Sequence, residues 1–90
     1  MKSLEALAVE LKQLIVESCE RPVEPGSITN EELLFGPDAR LALDSLDALQ
    51  LSMAIQKRYG LRLTDSKETR RILSSVGNMA QVLETHLAAH

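Results

Sequence analysis

The sequence predicts an all-α fold: one long helix, a long loop, then three helices, the third element of the chain's helical set being short. Three observations predict it. Aromatic residues number two, Phe35 and Tyr59, in 90 residues, so the core must be built from Leu, Ile, Val, Met and Ala, a mix that favours helices packed on helices over a sheet. Apolar residues recur at helical spacing in separate stretches. Helix start and stop residues stand between those stretches.

The first stripe is Leu4, Leu7, Ala8, Leu11, Leu14, Ile15 and Ser18, with Glu5, Glu10, Lys12 and Glu17 outside it. Ser3 is its N-cap, and Pro22 excludes the residue before it from helical geometry, which predicts a helix over 4–19. A connection from Arg21 to Asp44 follows, punctuated by Pro22, Pro25, Gly26, Gly36 and Pro37. A loop of this length is unusual in a compact domain and is commonly functional. Ile28, Leu33, Leu34, Phe35, Leu41 and Leu43 are expected to pin it to the bundle, with a short helical turn near Thr29–Leu34. The second helix is expected over 45–59, stopped by Gly60, which adopts a left-handed conformation cheaply. Asp65-Ser66-Lys67-Glu68 reads as a capping box opening a helix over 66–73. Ser74 or Ser75 then caps a last helix over 76–88 with the stripe Val76, Met79, Ala80, Leu83 and Leu87.

This length supports one domain, 1–90, with a modest core, in which an active-site cleft with several preorganised groups is hard to build. Cys19 is the single cysteine, so no intramolecular disulfide forms. The first twenty residues alternate charged and apolar groups, which suits neither a secretory signal nor a membrane span, and the cytoplasm is the expected location. The net charge of −3 is polarised: residues 21–56 carry −4 and residues 57–71 carry +4. Such halves can orient a docking partner, or simply be solvated faces. An acidic chain with so few stacking residues is a poor nucleic-acid binder. The only histidines, His86 and His90, have no triad context, and no metal cluster or phosphate-binding glycine loop is present.

The helix after Ser45 has two apolar faces. At roughly 100° per residue, Ala48, Leu51, Ile55 and Tyr59 fall on one side and Leu46, Leu49 and Met53 nearly opposite. Full burial of both is difficult in so small a domain, which favours the first stripe as core and the second as a face for transient contacts beside Ser45. Ser45 read plainly is an N-cap. A hydrolytic nucleophile would need a positioned base, and none is evident.

Leu41-Ala42-Leu43-Asp44-Ser45-Leu46-Asp47 resembles the Asp-Ser-Leu attachment motif of acyl carrier proteins. The surroundings fit too: a first amphipathic helix, a long loop with Gly36-Pro37-Asp38, the Tyr59-Gly60 junction, and Ser75-Val76 opening the last helix. The resemblance covers essentially the whole chain and implies a four-helix bundle with a short third helix. It implies that Ser45 accepts 4′-phosphopantetheine from coenzyme A by the action of a phosphopantetheinyl transferase. The arm would then hold acyl groups as thioesters for ketosynthase and other acyl-processing enzymes of fatty acid or polyketide-like biosynthesis. Asp44 matches the motif aspartate that helps engage the transferase and its magnesium ion. Leu46, Asp47, Leu49 and Met53 match partner-binding positions. The implied protein is a monomeric, non-catalytic carrier without a metal of its own.

Two departures from the family pattern stand out. Ala42 occupies a position where many relatives have glycine, tolerable unless φ is positive there. Beyond Asp47 the second helix offers Gln50, Ser52, Gln56, Lys57 and Arg58 where fatty-acid carriers place several glutamates, which points to a dedicated set of partners. The Leu34–Asp38 run, the Leu43–Leu49 stretch and Tyr59-Gly60 are similar to discrete carriers of bacterial aryl-polyene or polyketide-like clusters. A carrier loaded by an amino-acid-adenylating enzyme, or an interaction bundle in which Ser45 is merely a cap, are the other function classes.

Overall fold

The computed structural model describes residues 3–89. Helix α1 spans Leu4–Cys19, and Ser3 opens it by accepting a hydrogen bond from the Ala6 amide at 3.1 Å. Leu7, Leu11, Leu14 and Ile15 are buried along its inner stripe. The helix ends before the proline acts: Glu20 turns left-handed at φ 50°, and its amide returns to the Val16 carbonyl.

Helix α2 spans Ser45–Tyr59 and ends on Gly60, whose φ of 77° is the left-handed stop that glycine adopts without a side-chain clash. Helix α3 spans Ser66–Ile72 and α4 spans Val76–Ala89. Asp65 caps α3 by accepting from the Lys67 and Glu68 amides. The reciprocal half of the expected capping box is missing, because the Glu68 carboxylate pairs instead with Arg71 at 2.6 Å. Of the two serines that could cap α4, Ser75 does so, through the Asn78 amide. Helix α1 packs along α4 and α2, and the short α3 bridges α4 and α2. Leu11, Ile15, Leu51, Ile55, Met79 and Leu83 form the centre of the core.

The 20–44 loop is the least regular and the most informative segment. Its one helical turn is a 3₁₀ turn at Pro25–Ser27, not the turn expected near Thr29–Leu34. At the latter place the Glu32 carboxylate takes the Thr29 amide and the Thr29 hydroxyl takes the Glu32 amide. A helix through Leu34 would also consume an amide that is needed elsewhere. The Leu34 amide donates to the Ser74 carbonyl at 3.1 Å, and the Leu34 carbonyl accepts from the Leu43 amide at 3.0 Å. Gly77 completes the fastening: its amide donates to the Asn30 carbonyl at 2.8 Å, and a Cβ there would stand 3.1 Å from the same oxygen.

Ile28, Leu34, Leu41 and Leu43 are buried and pin the loop as expected, but Leu33 is 54% exposed. Leu34 is fully enclosed, so Leu34→Ala leaves a cavity under the loop and should cost about 3 kcal/mol. A lower denaturation midpoint with an unchanged m-value is the expected readout.

Residues 35 and 43 make an isolated parallel bridge, beyond which no strand forms among the described residues. The turn it closes runs through Ala42 at φ 48°, so the residue that replaces glycine here is held in the left-handed region. That conformation costs an L-residue about 1–2 kcal/mol, while glycine's extra freedom in the unfolded chain returns part of it. Ala42 is exposed and loses no packing when shortened. Ala42→Gly should therefore stabilise the protein, by about 0.5–1 kcal/mol in thermal or urea unfolding.

Candidate functional site

The site is built where the loop meets the first turn of α2. Asp44, not Ser45, is the cap: its Oδ1 accepts the Asp47 amide at 3.0 Å, and Asp47 Oδ2 accepts the Asp44 amide at 3.0 Å. Two backbone donors at the helix entrance are thereby satisfied by two carboxylates. The Asp47 amide is the main reason the Asp44 carboxyl is held below its ordinary range. Ser45 is the first helical residue, exposed, and its hydroxyl makes no hydrogen bond to any described residue. The plain reading of Ser45 as an N-cap is thus corrected: the capping work is already done one residue earlier.

Asp47 also departs from expectation. Its side chain turns inward, the residue is 8% exposed, and Oδ2 receives the Arg21 guanidinium at 2.6 Å. Arg21 simultaneously donates to the Leu41 carbonyl at 3.1 Å and the Cys19 carbonyl at 2.9 Å. One guanidinium so ties the end of α1, the end of the loop and the start of α2. An acid spent this way is a poor presenter of charge to a visiting protein.

The two faces of α2 separate as the periodicity requires. Leu51 and Ile55 are buried, Ala48 and Tyr59 are half-buried, and Leu46, Leu49 and Met53 are 61%, 57% and 61% exposed. Tyr59 adds a polar anchor, donating its hydroxyl to Glu10 Oε1 at 2.7 Å. Burial, then the hydrogen bond to Glu10, raises the Tyr59 pKa.

Beside Ser45 opens a cleft of about 520 Å³ between the loop and α3, with Leu33, Phe35, Leu43 and Ala48 among its walls. At the end of α1 Cys19 is buried, its thiol pushed up to about 11, first by burial and then by the Asp47 charge. No group of three or more His, Cys, Asp or Glu that could hold a metal ion is found among the described residues, and His90 lies outside them. No helix among them is long and apolar enough to cross a membrane.

A family model described as a phosphopantetheine attachment site matches residues 9–83. The chain belongs to the phosphopantetheine-attachment family. It is also 28% identical over 81 residues to an acyl carrier protein of Wolinella succinogenes, a match covering 90% of this chain and 97% of that one. The resemblance to acyl carrier proteins read from the sequence agrees with both comparisons.

The cofactor of the phosphopantetheine-attachment family is 4′-phosphopantetheine, and its members are carriers rather than catalysts. The residues present fit the group. An unbonded, exposed hydroxyl at the helix entrance can be esterified without breaking a cap, and the adjoining cleft offers mostly apolar walls. Sequence reasoning missed Arg21, because its partner lies 26 residues away and no local pattern announces the pair.

Proposed function

We propose that this chain carries acyl groups on a 4′-phosphopantetheine arm attached to Ser45 and delivers them to partner enzymes of fatty acid or polyketide-like biosynthesis, as a monomer in the cytoplasm. The observation that carries the reading is the Ser45 hydroxyl, presented at the start of α2 with no structural task. Attachment requires the Ser45 oxygen to bond to the β-phosphorus of coenzyme A as the pyrophosphate bond breaks and adenosine 3′,5′-bisphosphate departs. The hydroxyl proton goes to a base on the phosphopantetheinyl transferase, since the Asp44 carboxyl, held below its ordinary range by the Asp47 amide, is a weak one. When bound, the arm supplies the thiol that carries acyl groups as thioesters.

Leu46, Leu49 and Met53 are the proposed docking face for the transferase, ketosynthase and other acyl-processing enzymes, an exposed apolar strip small enough for partners to leave. Asp44, exposed at the helix entrance, remains the proposed contact for the transferase and its magnesium ion. Asp47 is left out of that face because its carboxylate is already paired.

Incubation with coenzyme A and a permissive transferase tests the reading. The mass should rise by one phosphopantetheine, and one fast-reacting thiol should appear. Cys19 stays silent in that assay: a shift of its thiol from 9.0 to about 11 cuts the thiolate fraction roughly a hundredfold, and the side chain is buried. An unchanged mass with several transferases overturns the carrier function. Loading by an amino-acid-adenylating enzyme in place of acyl donors overturns the acyl cargo alone.

A further inference from the structure

Resting on the attachment of the arm at Ser45, we infer that Arg70 is the counter-ion that holds the arm's phosphodiester against α3. Two clefts open on the α2 entrance, of about 520 and about 280 Å³, and both are lined by Ser45, Ala48 and Arg70. Arg70 of α3 and Ser45 of α2 therefore border the same space across the α2/α3 junction.

Charge bookkeeping at this entrance leaves a place for a cation. A helix N-terminus favours one nearby anion through its free amides and dipole. Here Asp44 already takes that role, its carboxylate bonded to the Asp47 amide. A phosphodiester on Ser45 adds a second negative charge on the adjacent residue, with the favourable end of the dipole already shared. Arg21 cannot answer it, being committed to Asp47, Leu41 and Cys19. Arg40 is held by Glu32 and Arg71 by Glu68. Arg58 is held by Glu10; Arg62 and Arg70 make no hydrogen bond or ion pair to a described residue, and of these two only Arg70, itself exposed, borders the clefts beside Ser45. Its planar fork suits two oxygens of a phosphodiester better than a lysine would. The pairing fixes the root of the arm on the α3 side of Ser45.

Phosphorus NMR of the loaded protein tests this. The ³¹P resonance of the wild-type diester should be displaced from its position in the same loaded chain unfolded in urea. Arg70→Gln should remove most of that displacement, Arg70→Lys should retain part of it, and Arg71→Gln should leave it unchanged. The Arg70 Nε–H resonance should also move between the unloaded and loaded protein. A loaded protein whose ³¹P position is the same in wild type and Arg70→Gln overturns the role of Arg70 and leaves the carrier reading intact. A chain that gains no phosphopantetheine mass overturns both.

Discussion

Ser45→Ala is expected to abolish phosphopantetheine uptake completely while leaving stability within about 0.5 kcal/mol of the parent chain. The two halves of that expectation come from one geometry. Asp44 provides the cap and Asp47 its reciprocal half, so the serine hydroxyl contributes no hydrogen bond that alanine would lose. Alanine is also a better helix former at a solvent-facing position. Had Ser45 been the cap, the same substitution would cost about 1 kcal/mol, the usual loss for a capping side chain. Asp44→Ala is the matched control and should show that loss. Intact-mass measurement after treatment with coenzyme A and transferase reads the first half, and urea unfolding reads the second. A stable variant that still gains the mass places the attachment on another residue. A variant that fails to load and is also destabilised by 1 kcal/mol or more contradicts the assignment of the cap to Asp44.

Arg21→Ala is expected to cost about 2–3 kcal/mol in stability. Removing one partner of an enclosed ion pair leaves the other charge without compensation, which typically costs about 3–5 kcal/mol when burial is complete. The pair here has side-chain exposures of 28% for Arg21 and 12% for Asp47, so water screens part of it and the lower figure applies. Two carbonyls, those of Cys19 and Leu41, lose a donor in the same stroke. Adding Asp47→Asn should recover about 1 kcal/mol, because the amide oxygen can still accept the Asp44 N–H without carrying a charge. Hydrogen exchange should localise the damage to the first turn of α2, with the amides of Asp47 and Ala48 losing protection before those of the α1 and α4 centres. Uniform loss of protection across the bundle would mean that Arg21 supports the whole core rather than the site.

The elements that were legible in the sequence are those set by short-range rules. The stripes of α1 and α4 and the split of α2 into a buried and an exposed face follow from helical periodicity, and the stop after Tyr59 from glycine's access to the left-handed conformation. The serine proposed to carry the arm was singled out because a local motif contains it. The loop was harder. Its buried leucines were visible, but Leu33 was not separable from Leu34 by composition, and only the pairing of Leu34 with Ser74 and Leu43 decides which of the two turns inward. The choice between Ser45 and Asp44 as cap was likewise open, since both residue types do that work.

What the amino-acid order determined alone is therefore the all-helical class, the apolar faces and the proposal of one serine hydroxyl next to an exposed strip as the attachment point. Tertiary structure decided which charges remain available. Asp47 reads as a surface acid until Arg21 arrives from the far end of α1, and Arg70 reads as a solvated helix end until α3 lays it across the cleft from Ser45. Periodicity acts within a few residues, whereas a charge is satisfied by whichever partner the fold brings near, and that distance is written only in three dimensions.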